Sequence, residues 1–338
     1  MAIILRPACV LAQSTALPYN DSWTASVMFE NDLFGNSDRS YTNGVKLSWI
    51  SGDLTQYREA GRIPRWLSPL VDAMPFINET GLQRNVSFSL DQQIFTPADI
   101  SVAELVTDDR PYAGWLNFSV AFHNKNLHRM DTVQLVFGVV GPAALGGDAQ
   151  NFVHKVRDIP TARGWANQLR NEPGFNIVIE RKRRLLQSTN PRGIGYDLIS
   201  HYGGALGNVH IYGNAGIEAR FGWNLPADFG LSMIRPGGEV SGPVDNTDPR
   251  LNLKSRFGAH LFAAVAGRLV GRNLFLDGNT FRDSHSVNKR HAVGDLIVGG
   301  SLLYRGVKLS YAQVWRTREF RNQPKFHNFG SIGLSWTF

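Results

Sequence analysis

A chain of 338 residues that is 43% hydrophobic and carries a formal charge of +7 is long enough for two soluble domains or for one large β-domain. Beyond its first residues it contains no apolar run of membrane-helix length, roughly 18 residues or more, which argues against helical spans. Its mean hydropathy is only -0.20, and its single cysteine, Cys9, excludes a disulfide framework and cysteine-ligated metals.

Residues 1–16 combine one early basic residue, Arg6, an apolar run broken by Pro7, and small residues from Ala12 to Ala16. That is the pattern of an export signal, and its removal would leave 17–338 as a single domain without a thiol. From there apolar residues fall on alternate positions in one segment after another. Trp23, Ala25, Val27 and Phe29 share one parity against Ser22, Thr24 and Ser26. Val45, Leu47 and Trp49 repeat it, then Val86, Phe88 and Leu90, then Leu116, Phe118, Val120 and Phe122. Val133 to Val139 and Phe175 to Ile179 follow, with a weaker segment at Tyr196 and Leu198 and a long one from Val209 to Trp223. Phe257 to Val265, Leu296 to Tyr304, Val307 to Tyr311 and Phe329 to Phe338 complete the series. Successive side chains on a strand point to opposite faces, so each segment has one apolar and one polar wall.

A soluble sandwich would alternate in the same way, and the end of the chain separates the two. Ile332, Leu334, Trp336 and Phe338 lie on one face of the last segment. An apolar edge there would invite aggregation unless it closed onto the first strand. The expected fold is therefore all-β: a transmembrane, antiparallel, up-and-down barrel of about 12 strands, whose alternation averages to a polar-looking composition. The basic run from Arg181 to Arg184 lies at an expected strand end beside a turn, without interleaved aromatic residues, so nucleic acid is not an expected partner. A basic rim facing anionic lipid phosphates accounts better for the charge.

With the N-terminus on the periplasmic side, the first, third and fifth connections face outward. They are 34–40, 96–110 and 141 to about 173. The connections 53–81 and 225–249 would then be unusually long periplasmic ones. Glu30, Asn31 and Asp32 end the first strand, Tyr41 to Gly44 open the second, and Asp108 to Trp115 lead into the fourth. The fifth connection is too long for a plain link, and Gly146-Gly147-Asp148 suggests a helix capped by Asp148. On that helix Gln150, Asn151 and His154 share a face. These groups would meet at the outer rim. Taken singly, His154 could be merely solvated and Asn31 and Asp32 could merely cap a turn.

Taken together, the stretches Phe29 to Asp32, Tyr41 to Gly44, Asp109 to Trp115, Gln150 to His154 and Gly164 to Leu169 are more specific. In that order and spacing, the chain resembles the outer-membrane lipid A 3'-O-deacylase family over essentially its whole mature length. The resemblance implies a twelve-stranded barrel and a calcium-dependent hydrolase that removes the ester-linked acyl chain at the 3' position of lipid A. It implies lipopolysaccharide of the outer leaflet as partner, and we expect a monomer assembled by the barrel-assembly machinery through its last strand. Asn31 and Asp32 correspond to the family's active-site pair, with Ca2+ as the ion their oxygens would suit. Thr42 corresponds to its threonine and His154 to its catalytic histidine. Gln150, Asn151, Asp109, Arg110 and Tyr112 would support the site.

Two departures stand out. A lysine that some members carry in the second outer loop has no counterpart in Asp99 to Glu104. An acidic residue six positions after the histidine is replaced by Pro160, for which Asp158 is the nearest substitute. The expected chemistry is direct attack by water, with His154 as base and calcium polarising the ester. No Gly-x-Ser-x-Gly turn accompanies the histidine, so Ser40 is the one serine worth testing for an acyl-enzyme route. The competing reading is a non-catalytic channel or structural barrel.

Overall fold

The computed structural model describes residues 21–32, 40–54, 69, 79, 81–235, 237–238, 242–251 and 257–338, with the side chains of 40–42 excepted. The expected export segment and most of the first outer connection lie outside them. The described residues form twelve strands: β1 Thr24–Asn31, β2 Ser40–Ile50, β3 Gln83–Thr96, β4 Ala113–Lys125, β5 Arg129–Val140, β6 Glu172–Thr189, β7 Ile194–Gly207, β8 His210–Trp223, β9 Phe257–Asn273, β10 Ala292–Tyr304, β11 Val307–Arg316 and β12 His327–Thr337. Each pairs antiparallel with its neighbours in sequence, and β12 pairs with β1 to close the barrel.

The alternation read from the sequence becomes an inner and an outer wall. On β1, Thr24, Ser26, Met28 and Glu30 are buried, while Val27 between them is 47% exposed. A buried polar parity beside an exposed apolar one is the inverse of a soluble protein and suits a wall facing lipid. Closure satisfies the edge that the C-terminal strand would otherwise leave. Phe29 stands opposite Ile332, Trp23 N donates to Phe338 O at 2.8 Å, and Phe338 N returns the bond at 2.9 Å.

The long connection between β8 and β9 corrects the sequence expectation. It does not hang in the periplasm but folds up into the lumen. Asp228 is buried there among three cations, 2.6 Å from Arg220, 2.7 Å from Lys308 and 3.3 Å from Arg250. Further up, Arg235 pairs with Glu180 at 2.9 Å, Gly237 N donates to Gln134 Oε1, and Ile234 N donates to Glu30 Oε1 at 2.9 Å. The plug thus reaches the outer end of β1. The basic run is also corrected. It lies within β6, whose end is five residues further on, and its Lys182 and Arg184 point inward and donate to the plug carbonyls of Phe229 and Asp228.

The outer mouth is capped as well. A short helix (Leu274–Asp277) buries Leu274, Phe275 and Leu276, and Phe275 stacks on Phe95 of β3 at 4.2 Å. Between plug and cap remains a cavity of about 120 Å³.

Candidate active site on the outer wall

The site is built on the outside of the barrel. Asn31 shares the lipid-facing parity of Val27 and Phe29, yet it is only 5% exposed, and Asp32 beside it is fully buried. Register sets Asn31 opposite Asn43, Asn43 opposite Ile94, and Ile94 opposite Gly114. One row of the outer wall therefore runs from the top of β1 across β2 and β3 to β4. Thr42 falls at a bulge in this row, since the pairing steps from Tyr41 opposite Phe95 to Asn43 opposite Ile94. A bulge leaves its extra residue out of the ladder and re-aims the strand locally. Side chains at 40–42, those of Ser40 and Thr42 included, lie outside the described set.

The fifth connection covers this row. It begins with a turn of 3-10 helix (Pro142–Ala144) and continues as the helix α1 (Gly146–Val156). Its start sits on a residue without a side chain: a Cβ on Gly114 would meet Ala144 Cβ and Gly146 N at 3.1 Å. Gln92, also on the outer parity, donates through Nε2 to Ala144 O at 2.7 Å. The residue preceding α1 is Leu145, in a left-handed conformation and without a side-chain cap. Asp148 lies inside the first turn instead, where its charge complements the helix dipole.

The inward face of α1 carries Gly146, Gln150 and His154, all buried. His154 Nδ1 lies 2.7 Å from the carbonyl oxygen of Pro160. A carbonyl only accepts, so Nδ1 carries the hydrogen and a neutral ring presents Nε2 as a lone-pair acceptor. The partner of Nδ1 is thus the backbone at Pro160, the position where some members carry an acid. Asp158, the substitute suggested by the sequence, is exposed with a φ of 55° and is not the partner of Nδ1.

Gln150 is fixed as unambiguously. Trp165 Nε1 donates to Gln150 Oε1 at 2.8 Å; an indole N–H cannot accept, so Nε2 must be the other terminus. That Nε2 is buried and has no hydrogen-bond partner among the described residues. It is one helical turn ahead of His154, on the same face. Asn151 Oδ1 accepts from Ala162 N at 3.2 Å and so ties down the strand of chain that carries Pro160. Tyr112 packs with Ile94, Ala162 and Trp165, 5.0 Å from the Trp165 ring. Burial pushes its phenol up to about 12, so the hydroxyl stays protonated.

Asp109 and Arg110 go elsewhere. Asp109 closes its own loop, accepting from Ala98 N and Arg110 N. Arg110 turns to the lumen, 4.8 Å above the Phe95 ring and 3.4 Å from Glu319. Burial works against the charge of Glu319, but Arg316 and Arg110 hold its carboxyl below the usual range. Both residues shape the capped mouth, not the wall around His154. Sequence reading did not foresee Trp165 and Gln92 as parts of the site; Trp165 lay within a recognised stretch, and Gln92 carried no signal.

Among the described residues no cluster of three or more His, Cys, Asp or Glu could form a metal cage. A hard cation at the top of β1 would depend on the oxygens of Asp32 and Asn31, supplemented by amide, hydroxyl or main-chain carbonyl oxygens. The bulge at Thr42, beside Asn31, leaves one residue of β2 out of the ladder. Oxygen donors of this kind fit a hard cation such as calcium.

The profile of the family described as outer membrane protein LpxR matches residues 1–338. Among solved structures, LpxR from Salmonella typhimurium is 20% identical, with a TM-score of 0.72 over 93% of this chain and 100% of that one. The β-domain of the Bordetella autotransporter BrkA is 9% identical, with a TM-score of 0.42 over 94% of this chain and 99% of that one. No curated protein matches the sequence.

Proposed function

This chain belongs to the LpxR family of outer membrane proteins, and from that membership we propose that it is a lipid A 3'-O-deacylase whose active site lies on the lipid-facing wall under α1. The observation that carries the proposal is the placement of His154: buried, with Nδ1 held 2.7 Å from Pro160 O, so that Nε2 is the acceptor in the neutral ring. A base held in one tautomer and facing a wall exposed to the outer leaflet suits an ester that arrives laterally from the membrane. The wall spacing supports the same reading. Three inter-strand steps of about 4.8 Å separate Asn31 from Gly114, about 14 Å in all. Eight residues of α1 at about 1.5 Å each carry the chain about 12 Å from Gly146 to His154. A helix that starts on β4 and lies against β3 can therefore bring the imidazole back toward Asn31 and Asp32.

In the proposed reaction His154 Nε2 takes a proton from water as the water oxygen bonds to the 3'-ester carbonyl carbon. Gln150 Nε2, buried and without a partner among the described residues, donates to the resulting oxyanion. Collapse breaks the bond to the sugar oxygen, which takes the proton from His154, and the fatty acid leaves. Asp32 and Asn31 would hold Ca2+, which when bound supplies positive charge for the ester oxygen. Thr42 would orient the substrate or the water by hydrogen bonding. The lumen gives no support to the channel reading, because the plug occupies it and the mouth is capped.

The test is lipid A mass analysis in a host producing full-length lipid A, with wild-type protein and His154→Ala, with and without a calcium chelator. The expected result is loss of the 3'-linked chains with wild type alone, prevented by chelation. Unchanged deacylation by an inserted, heat-modifiable His154→Ala barrel would overturn the proposal.

A further inference from the structure

A second feature of the outer wall stands well away from α1. At the outer ends of β9, β10 and β11, Gly267 lies opposite Gly294, and Thr317 follows in the same row, exchanging bonds with Gly294 through its N and Oγ1. Two adjacent lipid-facing positions therefore have no side chain. A Cβ built on Gly267 meets nothing within 4 Å. The result is an open groove of about 640 Å³ in the outer wall. Leu269 and Phe326, each 71% exposed, flank it, and Arg290 and Arg318 stand at its outer rim.

The rim is built, not incidental. Arg290 precedes β10 and Arg318 follows β11, and the two loops are zipped together: Arg290 N donates to Glu319 O at 2.7 Å, and Arg321 N to Asn288 O at 2.9 Å. Among the described residues neither guanidinium forms an ion pair. Nearby on the lumen side Arg316 is instead paired with Asp295 at 2.8 Å. Two uncommitted arginines above an apolar trough complement a molecule with phosphate at one end and acyl chains at the other. The trough crosses three strands, two steps of about 4.8 Å, so it is wide enough for more than one chain.

We infer that this groove is a binding site for a phosphorylated glycolipid of the outer leaflet, of the lipid A class, separate from the site under α1. The groove lies on β9 to β11 and the site under α1 on β1 to β4, so the two share no strand: in the closed ring β12 stands between them on one side and β5 to β8 on the other. The groove would hold a non-reacting lipid against the barrel while the other wall exchanges its own.

The inference is tested with the full chain carrying His154→Ala, so that no turnover consumes the probe, by native mass spectrometry with bisphosphorylated lipid A. The expected result is two lipids per barrel. Gly267→Leu fills the trough, and Arg290→Gln with Arg318→Gln empties the rim. Each should remove one of the two and weaken its binding about tenfold or more, as should probing with dephosphorylated lipid A. If the reading of the α1 wall is wrong, one lipid remains and it is still lost in the groove variants. Binding of both lipids undisturbed by either variant would overturn the inference. Phosphatidylglycerol competing as well as lipid A, mole for mole, would overturn it equally, assigning the groove to phospholipid.

Discussion

Gly146 and Gly114 touch backbone to backbone: a Cβ on Gly146 would lie 2.9 Å from Gly114 Cα and 3.0 Å from the Trp165 ring. This approach fixes how closely α1 rests on the wall, and hence where His154 sits eight residues later. Gly146→Ala should therefore push the helix out without affecting the strands. A displacement of about 1 Å at a catalytic group can cost about 10²-fold. We expect kcat to fall by about that factor while heat-modifiable migration is unchanged; unaltered kcat would mean that the docking is not needed.

The amide of Gln150 is held with Nε2 turned away from Trp165. Losing one donor to an oxyanion costs about 10²–10³ in kcat. Gln150→Glu keeps the size and the bond from Trp165 but removes the donor, so it should show that loss with little change in KM. A variant that alters KM alone would assign Gln150 to substrate binding.

Calcium should be visible apart from catalysis. An ion that binds only the folded state stabilises it, by about 2.7 kcal/mol at a hundredfold excess over Kd. Adding Ca2+ should slow proteolysis or hydrogen exchange at the top of β1 in the wild type and in His154→Ala, but not in Asp32→Ala. Equal protection in Asp32→Ala would place the ion elsewhere.

The plug should close the lumen through Asp228. Replacing it by Ala would leave Arg220, Arg250 and Lys308 buried around a missing anion, and breaking such a buried cluster costs about 3–5 kcal/mol. We expect a lower unfolding temperature and ion-conducting steps in planar bilayers that the wild type lacks. Deacylation should decline less, because the proposed site lies on the other side of the wall.

Tyr112 supplies a check on pH. Its phenol is raised from the ordinary 10 to about 12 by burial, so the folded loop binds the proton more tightly than the unfolded one. Stability from this group is complete below pH 10 and is lost as pH rises from there through about 12. Protection of the Ala162–Trp165 region from hydrogen exchange should weaken across that window, and Tyr112→Phe should abolish the dependence. The activity profile near neutrality should be the same in both.

The alternation of side chains was sufficient to foresee all twelve strands, from Trp23 to Phe338, because a two-residue period is a local property that each segment displays by itself. The barrel followed from an apolar last strand that needed a partner, and β1 is that partner. The helix of the fifth connection and the shared face of Gln150 and His154 were legible for the same reason, as short-range spacing. What the sequence left open depended on distant pairing. Asn31 and Asp109 both belong to stretches near the rim, yet register sends one to the outer wall and the Asp109–Arg110 pair to the capped mouth. Pro160 could not announce its role, since a backbone carbonyl is present at every position and only the folded loop aims this one at His154. Nor could the span 225–251 reveal that it fills the lumen, because the carboxylates and arginines that hold it lie on strands up to 204 residues away. Local periodicity is written in neighbours; which face of a closed sheet a loop covers is decided only when the ring shuts.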